Sequence, residues 1–270
     1  MKEIRRILFI SQEITPYLSE TPRSLLGRML PQTAQESGFE TRTFMPKFGE
    51  INERRNQLHE VIRLSGMNLI IDDTDHPLII KVASIPSARI QVYFIDNEDY
   101  FHRRRSDEPV KSQSDNDERS IFFVRGVLET VKKLRWTPDI IYCQGWMSAL
   151  APLYIKRAYQ DDPFFRNSKI VYSLTDIAMP AELDEHFAEK SLVDGVEPDD
   201  LKQVAGGPVS LNALMRLAID YSDAVMLTSE SVNEELLQYA QQRNLPVMPY
   251  TPLEQKQAYV DFFHSLITAD

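Results

Sequence analysis

The segment of residues 6–50 constrains the fold most, because it contains a complete strand–helix–strand unit. Residues 7–10 (Ile-Leu-Phe-Ile) are apolar throughout and too few for a helix, which is typical of a strand buried on both faces of a parallel sheet. In residues 22–34, apolar side chains recur at helical spacing, and Thr21 before a proline predicts the helix N-terminus. Residues 41–45 are predicted to form the next strand. This unit is typical of the first half of a Rossmann-like sheet.

Strands and helices alternate along the rest of the chain. A β-hairpin is predicted from the runs 67–71 and 78–83, with the turn-forming residues 72–77 between them. The other predicted elements are strands at 59–64, 91–95, 140–143, 169–174 and 224–227, and helices starting near 144 and at 115–131, 209–221, 230–243 and 253–267. We therefore expect an α/β fold, Rossmann-like, with a mainly parallel sheet flanked by helices and an inserted β-hairpin.

Local signals refine these boundaries. Asp115 and Glu118 have the spacing of a capping box at the start of a helix, and Ser229 is predicted to cap the helix 230–243. Residues 180–206 are acidic and without periodicity, which predicts a flexible excursion from the sheet.

The end of the chain is predicted to be a tail rather than a domain. Three prolines in residues 246–252 argue against regular structure before the last helix. That helix carries an apolar stripe that includes three aromatic rings, which favours packing against the domain. We expect one domain, residues 1–245, and a tail, residues 246–270, whose helix packs back on it.

Net charge limits the partners of the chain. The 270 residues carry a formal charge of −10, which disfavours nucleic acid and anionic membrane surfaces, because both require concentrated positive charge. A neutral sugar polymer stays compatible with that charge. The one dense basic patch, Arg103–Arg105, is expected to be a solvated loop, with contact to an anion as the alternative.

Cysteine content and hydropathy point to a cytoplasmic protein. A single cysteine, Cys143, cannot form an intramolecular disulfide, which fits a reducing compartment. The apolar run near the N-terminus is too short for a signal peptide, and no run approaches the length of a membrane span. We expect no membrane partner.

Searches for cofactor and metal chemistry are negative. No glycine-rich phosphate loop occurs, and Cys143 falls in a predicted core strand, where packing is its expected role. Metal-ligand spacing is absent from the five histidines, which are His59, His76, His102, His186 and His264. We expect neither a cofactor nor a metal.

Several motifs carry a family resemblance. Residues 11–16 read Ser-x-Glu-x-x-Pro, residues 92–97 read Val-Tyr-Phe-Ile-Asp-Asn, and residues 115–125 read Asp-Asn-x-Glu-Arg-x-x-Phe-Phe-x-Arg. Together with residues 44–49, 138–150 and 222–229, they resemble bacterial glycogen and starch synthases, over about residues 4–245. The resemblance implies the N-terminal, acceptor-side half of a two-domain glycosyltransferase of the GT-B architecture.

The chain departs from that family where its chemistry is expected. The family loop Lys-Thr-Gly-Gly-Leu-Ala-Asp is replaced by residues 19–25, Ser-Glu-Thr-Pro-Arg-Ser-Leu. Tyr142, Gln144 and Met147 stand where the family has histidines, and Thr175-Asp176 replaces His-Asn. The family's donor-binding half has no counterpart in residues 246–270. These departures imply no catalytic residues and a chain that is inactive alone.

Substrate-binding candidates lie at or near strand ends, where ligands of open α/β sheets bind. They are Glu13, Asp96, Asn97, Arg119, Gln144, Trp146 and Asp176, with Glu230 as a further carboxylate. Trp146 could stack on a sugar face or pack behind the sheet. Glu13 and Asp96 could bind hydroxyl groups or cap helix N-termini, and Arg119 could contact substrate or be a structural partner.

Three functions are compatible with this pattern. The first is a glucosyltransferase of glycogen synthesis that acts with a partner chain or through an unusual site. The second is a non-catalytic glucan-binding, regulatory or scaffolding protein, favoured because several groups that stabilise transition-state charge are lost together. The third is an enzyme acting on another small molecule. A glucan or a nucleotide sugar is the expected ligand, and an exposed crevice face predicts a homodimer or a protein partner.

Overall fold

The computed structural model describes residues 4–102 and 115–268, and in them ten strands form a mixed sheet. The strands are β1 (Arg6–Ser11), β2 (Glu40–Pro46), β3 (His59–Glu60), β4 (Met67–Ile71), β5 (Thr74–Ile85), β6 (Ile90–Asp96), β7 (Ile140–Gln144), β8 (Lys169–Leu174), β9 (Ala224–Leu227) and β10 (Val247–Met248). Their order is β10-β9-β8-β7-β1-β2-β6-β5-β3, and β4 pairs with β5.

Helices flank the sheet on both faces. They are α1 (Pro22–Glu36), α2 (Asn116–Lys133), α3 (Ala151–Lys156), α4 (Phe187–Lys190), α5 (Leu211–Asp220), α6 (Glu234–Gln242) and α7 (Lys256–Thr268), with short 3-10 helices at Trp146–Ser148 and Pro198–Val204 and a π-helix at Glu98–His102. No helix in the described ranges is long and apolar enough to cross a membrane.

Strand β1 lies at the centre of the parallel part of the sheet. Ile7 pairs with Thr41 of β2 on one side and with Ile140 of β7 on the other. All four apolar residues of the run 7–10 are fully buried, because helices cover both faces. Strands β10, β9, β8, β7, β1, β2 and β6 pair parallel in that order. Strand β5 pairs antiparallel with β6, β3 and β4. The expected α/β, mainly parallel Rossmann-like fold is confirmed.

Alternate side chains of the strands enter two separate cores. Leu8 and Ile10 belong to the larger one, which includes α2, α3 and α5. Ile7 and Phe9 point into the smaller one, which lies under α1 and α7. A strand that is apolar at every position is therefore required, and this explains why the run 7–10 shows no alternation.

The inserted hairpin has a tighter turn than the sequence suggests. Ile71 of β4 pairs with Thr74 of β5, so only Asp72 and Asp73 lie in the turn. Both have positive φ, 48° and 60°, as a two-residue type I′ turn requires. The expected turn over residues 72–77 is therefore wrong, and β5 is extended to twelve residues.

Helix α7 packs on the sheet beside α1. Phe263 is 1% exposed, and its ring lies edge-on to Phe9 with 6.2 Å between the centroids. Tyr259, Val260 and Leu266 are buried in the same cluster. The tail is thus in contact with the domain core, and the domain boundary at residue 245 stays a prediction.

Three local expectations, two helix caps and one irregular segment, are wrong. Ser229 donates to the carbonyl of Ser231 and accepts from the amide of Asp176, so Asn233 caps α6 instead. Asp115 precedes α2 without a side-chain cap hydrogen bond. Residues 247 and 248 form β10, because the carbonyl of Pro246 still accepts from β9 although its nitrogen cannot donate.

The acidic segment 180–206 packs against the domain instead of forming a flexible excursion from the sheet. Leu183 pairs with Val209, and Phe187 is fully buried. Lys190 donates to Asp117 at 2.8 Å, which ties α4 to the start of α2. The predicted flexible excursion is therefore wrong. The basic patch Arg103–Arg105 lies outside the described residues.

Candidate functional site

The crevice of this sheet lies outside the carboxyl ends of β1 and β7. The chain runs from β1 outward through β2 on one side and returns to β7 on the other, so the strand order reverses between them. Ligands of open α/β sheets bind at such a point. Glu13 follows β1, Gln144 ends β7 and Asp176 follows β8, so the structure brings these three candidates to one edge.

An ion pair occupies the β1 side of this crevice. Nε and Nη2 of Arg23 lie 3.2 and 3.1 Å from Oε1 of Glu13, and the Thr21 hydroxyl donates to the other carboxylate oxygen at 2.9 Å. Nη1 of Arg23 donates to the backbone carbonyl of Asp176 at 3.3 Å. The Glu13 side chain is only 9% exposed, and that of Arg23 is 29% exposed. Glu13 is therefore saturated by the protein itself.

The first turn of α1 is capped by its own side chains. The amide of Ser24 donates to the Thr21 hydroxyl at 3.0 Å, and the amide of Thr21 donates to the Ser24 hydroxyl at 2.9 Å. Pro22 at the first helical position has no N–H. The amides that a helix N-terminus offers to an anion are thus partly used or missing.

Close packing fixes the β7 side of the crevice. Nε2 of Gln144 donates to the carbonyl of Arg23 at 3.1 Å, and a Cβ on Gly27 would lie 2.3 Å from the carbonyl oxygen of Glu13. Helix α1 can therefore approach the β1 loop this closely only with glycine at that position. Gln144 and Met147 are each 1% exposed, so both face protein rather than solvent.

Trp146 is a core residue in this structure. Its side chain is 1% exposed, and it belongs to the larger hydrophobic cluster. A sugar cannot reach the face of the ring in this arrangement. Of the two roles expected for Trp146, packing behind the sheet matches its position. Cys143 is likewise fully buried, and burial raises the pKa of its thiol well above the usual range.

Asp96 and Asn97, at the carboxyl end of β6, are bonded to other parts of the protein. Oδ2 of Asp96 lies 2.8 Å from Nζ of Lys81, and its side chain is 2% exposed. Asn97 donates to the carbonyl of Pro77 at 2.9 Å and accepts from two amides of the π-helix. Both residues stabilise the hairpin and the start of that helix, and β6, which they end, lies two strands from β1.

The Asp96–Lys81 pair extends to a second lysine. Glu53 accepts from Lys81 at 2.7 Å and from Lys47 at 2.9 Å. Burial alone would raise the pKa of Glu53, but the hydrogen bonds of the two lysines lower it below its ordinary value. Burial would lower the pKa of Lys81, yet its bonds to Asp96 and Glu53 raise it. Sequence spacing gives no signal for this network, because its members come from separate segments.

Arg119 lies buried at the start of α2. It is 4% exposed, donates to Asn116 at 2.9 Å, and stands over the rings of Phe48 and Phe101 at 5.9 and 5.2 Å. These contacts give Arg119 the position of a structural partner.

Asp176 is the exposed member of the predicted set. Its backbone amide donates to Ser229 at 2.8 Å, and the residue lines a cavity of about 340 Å³ beside α5 and α6. Glu230 is exposed nearby. The sequence analysis did not include Arg23 among the site residues. Its position two residues after the N-cap Thr21, in the first turn of the helix that follows β1, was a usable signal.

Metal ligation finds no support in residues 4–102 and 115–268, where no group of three or more His, Cys, Asp or Glu side chains could hold an ion. The buried His76 is instead hydrogen-bonded to the Tyr100 hydroxyl at 2.9 Å. That hydroxyl also donates to Glu118, so this polar chain is structural.

Comparison with known proteins agrees with the sheet and with the motifs. The family model of the starch synthase catalytic domain matches residues 6–246. Glycogen synthase of Chlorobium phaeobacteroides is 32% identical over 234 residues, covering 83% of this chain and 48% of that protein. Glycogen synthase of Chlorobaculum tepidum is 35% identical over 237 residues, covering 86% and 47%.

A solved structure shows the same fold at lower identity. The catalytic domain of starch synthase IV from Arabidopsis thaliana, bound to ADP and acarbose, superposes with a TM-score of 0.69 at 16% identity, covering 92% of this chain and 52% of that one. The chain spans about half the length of the curated relatives it matches. By its sequence match and its mixed sheet, the chain belongs to the starch synthase catalytic domain family.

Proposed function

We propose that this chain binds an α-glucan in its crevice and that the 270-residue polypeptide does not by itself transfer glucose from a nucleotide sugar. Membership of the starch synthase family supports a glucan as the ligand. The related Arabidopsis structure carries ADP and acarbose, which makes both a nucleotide and an oligosaccharide analogue reasonable probes. The charge of −10 favours the neutral glucan over the nucleotide.

The Arg23–Glu13 ion pair is the observation that carries this proposal. Glycosyl transfer from a nucleotide sugar requires positive or amide groups that hold the leaving diphosphate, because negative charge develops there as the bond breaks. Arg23 is a cation at this end of the crevice, and its guanidinium is already bonded to Glu13 and to a backbone carbonyl. The exposed Glu20 adds a repulsive charge at the same loop.

At the carboxyl end of β7, the side chains in the positions of the family histidines cannot carry a proton. Gln144 and Met147 do not titrate near neutral pH, and both are buried. Where the family has histidines, this chain therefore has side chains that pack in the interior. Each substitution alone could be compensated, but together with the ion pair they remove both charge stabilisation and proton transfer.

A glucosyltransferase is the second candidate, because the matched relatives are named glycogen synthases and are about twice as long as the matched region. A separate domain or partner chain that supplies diphosphate-binding groups would then complete the site. In that case, the Arg23–Glu13 pair must open before the diphosphate enters.

One assay separates the two candidates. Purified chain is incubated with glycogen and labelled ADP-glucose or UDP-glucose, and incorporation into polymer is measured beside calorimetric titration with maltoheptaose. We expect glucan binding and no incorporation above background. Incorporation that is abolished by Glu13→Gln or Asp96→Asn would refute the proposal and establish the transferase.

A homodimer or protein partner at the crevice and a cytoplasmic location complete the proposal. The free, buried Cys143 fits a reducing compartment. The large apolar side chains exposed in the described ranges are Ile4, Ile62, Ile70, Leu192 and Tyr250. None of them lines the cavity beside Asp176, so the dimer has no support from apolar surface there. Light scattering tests the dimer directly, and a monomer would remove that part of the proposal.

A further inference from the structure

Two of the exposed large apolar side chains line one groove. Ile70, near the end of β4, is 59% exposed, and Leu192, just after α4, is 41% exposed. The groove between the hairpin tip and α4 has a volume of about 610 Å³, within the range of roughly 300–1,000 Å³ at which sites enclose drug-sized ligands. Apolar side chains that share a concave surface with a polar rim are typical of an interaction site.

Both walls of the groove are held by contacts to α2. Nη1 of Arg125 donates to the backbone carbonyl of Ile70, which fixes the end of β4. On the other wall, Nζ of Lys190 donates to Asp117 at 2.8 Å and to Glu118 at 2.9 Å, which fixes α4. A groove that is already formed lowers the ordering cost of binding.

The polar rim of the groove is negatively charged. The polar residues that line it are Asp72, Asp73, Asp184, His186, Glu189 and Lys190, so four carboxylates stand against one lysine and one histidine. Burial alone would lower the pKa of Lys190, but its bonds to two carboxylates of α2 raise it, so this ammonium group is charged and already paired. The rim is therefore negative whether or not His186 is protonated, and charge favours a cationic partner.

Charge and apolar surface together narrow the class of partner. Nucleic acid and anionic lipid have the wrong sign for this rim. A second copy of this chain carries a charge of −10 and is disfavoured in the same way. A small cation lacks the apolar surface that Ile70 and Leu192 could bury. A basic protein segment with apolar side chains next to lysine or arginine matches both features.

We propose that this groove docks a short basic segment of a partner protein, with apolar side chains of the segment on Ile70 and Leu192. Its lysine or arginine side chains lie beside Asp72, Asp73 and Glu189. The volume of about 610 Å³ takes a few residues of such a segment rather than a folded domain. This docking does not depend on glucan binding, because the groove contains none of the crevice residues at the ends of β1, β7 and β8.

Two labelled peptides test the proposal on the full chain. The probe Leu-Lys-Arg-Leu-Lys-Arg carries apolar side chains and positive charge, whereas the matched peptide Ser-Lys-Arg-Ser-Lys-Arg carries the charge alone. Fluorescence polarisation measures the dissociation constant of each peptide at low and at high ionic strength. We expect the leucine peptide to bind at least about tenfold more tightly, and its affinity to fall as salt screens the rim. Equal affinities, or no binding of either peptide, would overturn the proposal.

Substitutions at two exposed isoleucines locate the binding site. Ile70→Ser removes an apolar contact of the groove, whereas the matched control Ile62→Ser changes an isoleucine that is 82% exposed and does not line it. We expect Ile70→Ser to weaken binding of the leucine peptide about tenfold, and Ile62→Ser to change it by less than about twofold. Asp73→Asn, which suits the type I′ turn, should weaken binding about threefold and reduce its salt dependence. Thermal unfolding of each variant checks its folding.

The remaining outcomes concern other occupants of the groove. Equal weakening by Ile62→Ser and Ile70→Ser would overturn the assignment to this groove. A dimer seen by light scattering that Ile70→Ser dissociates would give the groove to a second copy of the chain and overturn the partner. The basic run Arg103–Arg105 lies outside the described residues. If changing its three arginines to serine tightened peptide binding about tenfold, that run would be the occupant and the proposal would fail.

Discussion

Replacing Glu53 by glutamine is expected to destabilise the protein strongly, because it leaves a buried lysine without its charge partner. The side chain of Lys47 is 3% exposed and forms its ion pair with Glu53 at 2.9 Å, whereas Lys81 keeps Asp96 at 2.8 Å when Glu53 is lost. Removing one partner of a buried pair costs about 3–5 kcal/mol. Because Glu53 is itself 33% exposed, we expect the lower end, about 3 kcal/mol.

A double-mutant cycle isolates this pair. Lys47→Met removes the buried charge, so the double variant Glu53→Gln/Lys47→Met should recover about 2 kcal/mol relative to the sum of the single losses. Urea unfolding followed by circular dichroism gives each free energy, and the exposed Glu60→Gln serves as a control expected to stay within about 0.5 kcal/mol. A Glu53→Gln loss no larger than that of the control, or strictly additive losses, would refute the reasoning.

Three further expectations concern the tail, the crevice and pH. Phe263→Ala should lower the free energy of unfolding by about 3–5 kcal/mol and the melting temperature by at least about 6 °C. The same change at the half-buried Phe262 should lower both far less, and equal shifts would contradict docking of α7. Glu13→Gln should cost about 1–2 kcal/mol in urea unfolding, since neutral hydrogen bonds replace the charge-assisted ones to Arg23; an unchanged midpoint would contradict this. The difference in free energy of unfolding between wild type and Glu53→Gln should narrow as pH falls from about 5 to about 3. The reason is that the pKa of Glu53 in the folded protein lies below its unfolded value of about 4.3. A constant difference across this pH range would contradict the expectation.

Many strands and helices of the fold were predictable because each depends on a pattern within its own segment. The apolar runs 7–10 and 67–71 and the periodic segment 22–34 each carry their own signal, and the structure has elements there. Thr21 caps α1 as its position before a proline predicts, since both capping bonds form within four residues. A pattern contained in one segment survives folding when tertiary contacts agree with it.

Elements that depend on distant partners were not predictable in this way. Strand β10 has two residues among prolines and exists because β9 offers a free edge. The capping role moved from Ser229 to Asn233, because Ser229 is hydrogen-bonded to the loop after β8. Periodicity contains no information about either contact.

The sequence predicted where the candidate site lies but not which of its side chains a ligand can reach. Glu13, Gln144 and Asp176 do lie at one edge, as parallel strand ends must. Whether a side chain at that edge is available to a ligand depends on its neighbours, and Arg23 removes Glu13 from solvent. Burial of Trp146 likewise follows from the packing of α2 and the 3-10 helix, which sequence spacing does not specify.

In the crevice, packing constrains some positions of the scaffold far more than others. Gly27 and Gln144 hold α1 against the β1 loop, and a Cβ at Gly27 would collide with the carbonyl of Glu13, so packing restricts these positions. Ser19 and Glu20 are exposed on the same loop, where substitution alters charge without disturbing the core. Likeness at packing positions therefore supports the fold, whereas function must be argued from the side chains that solvent and ligand can reach.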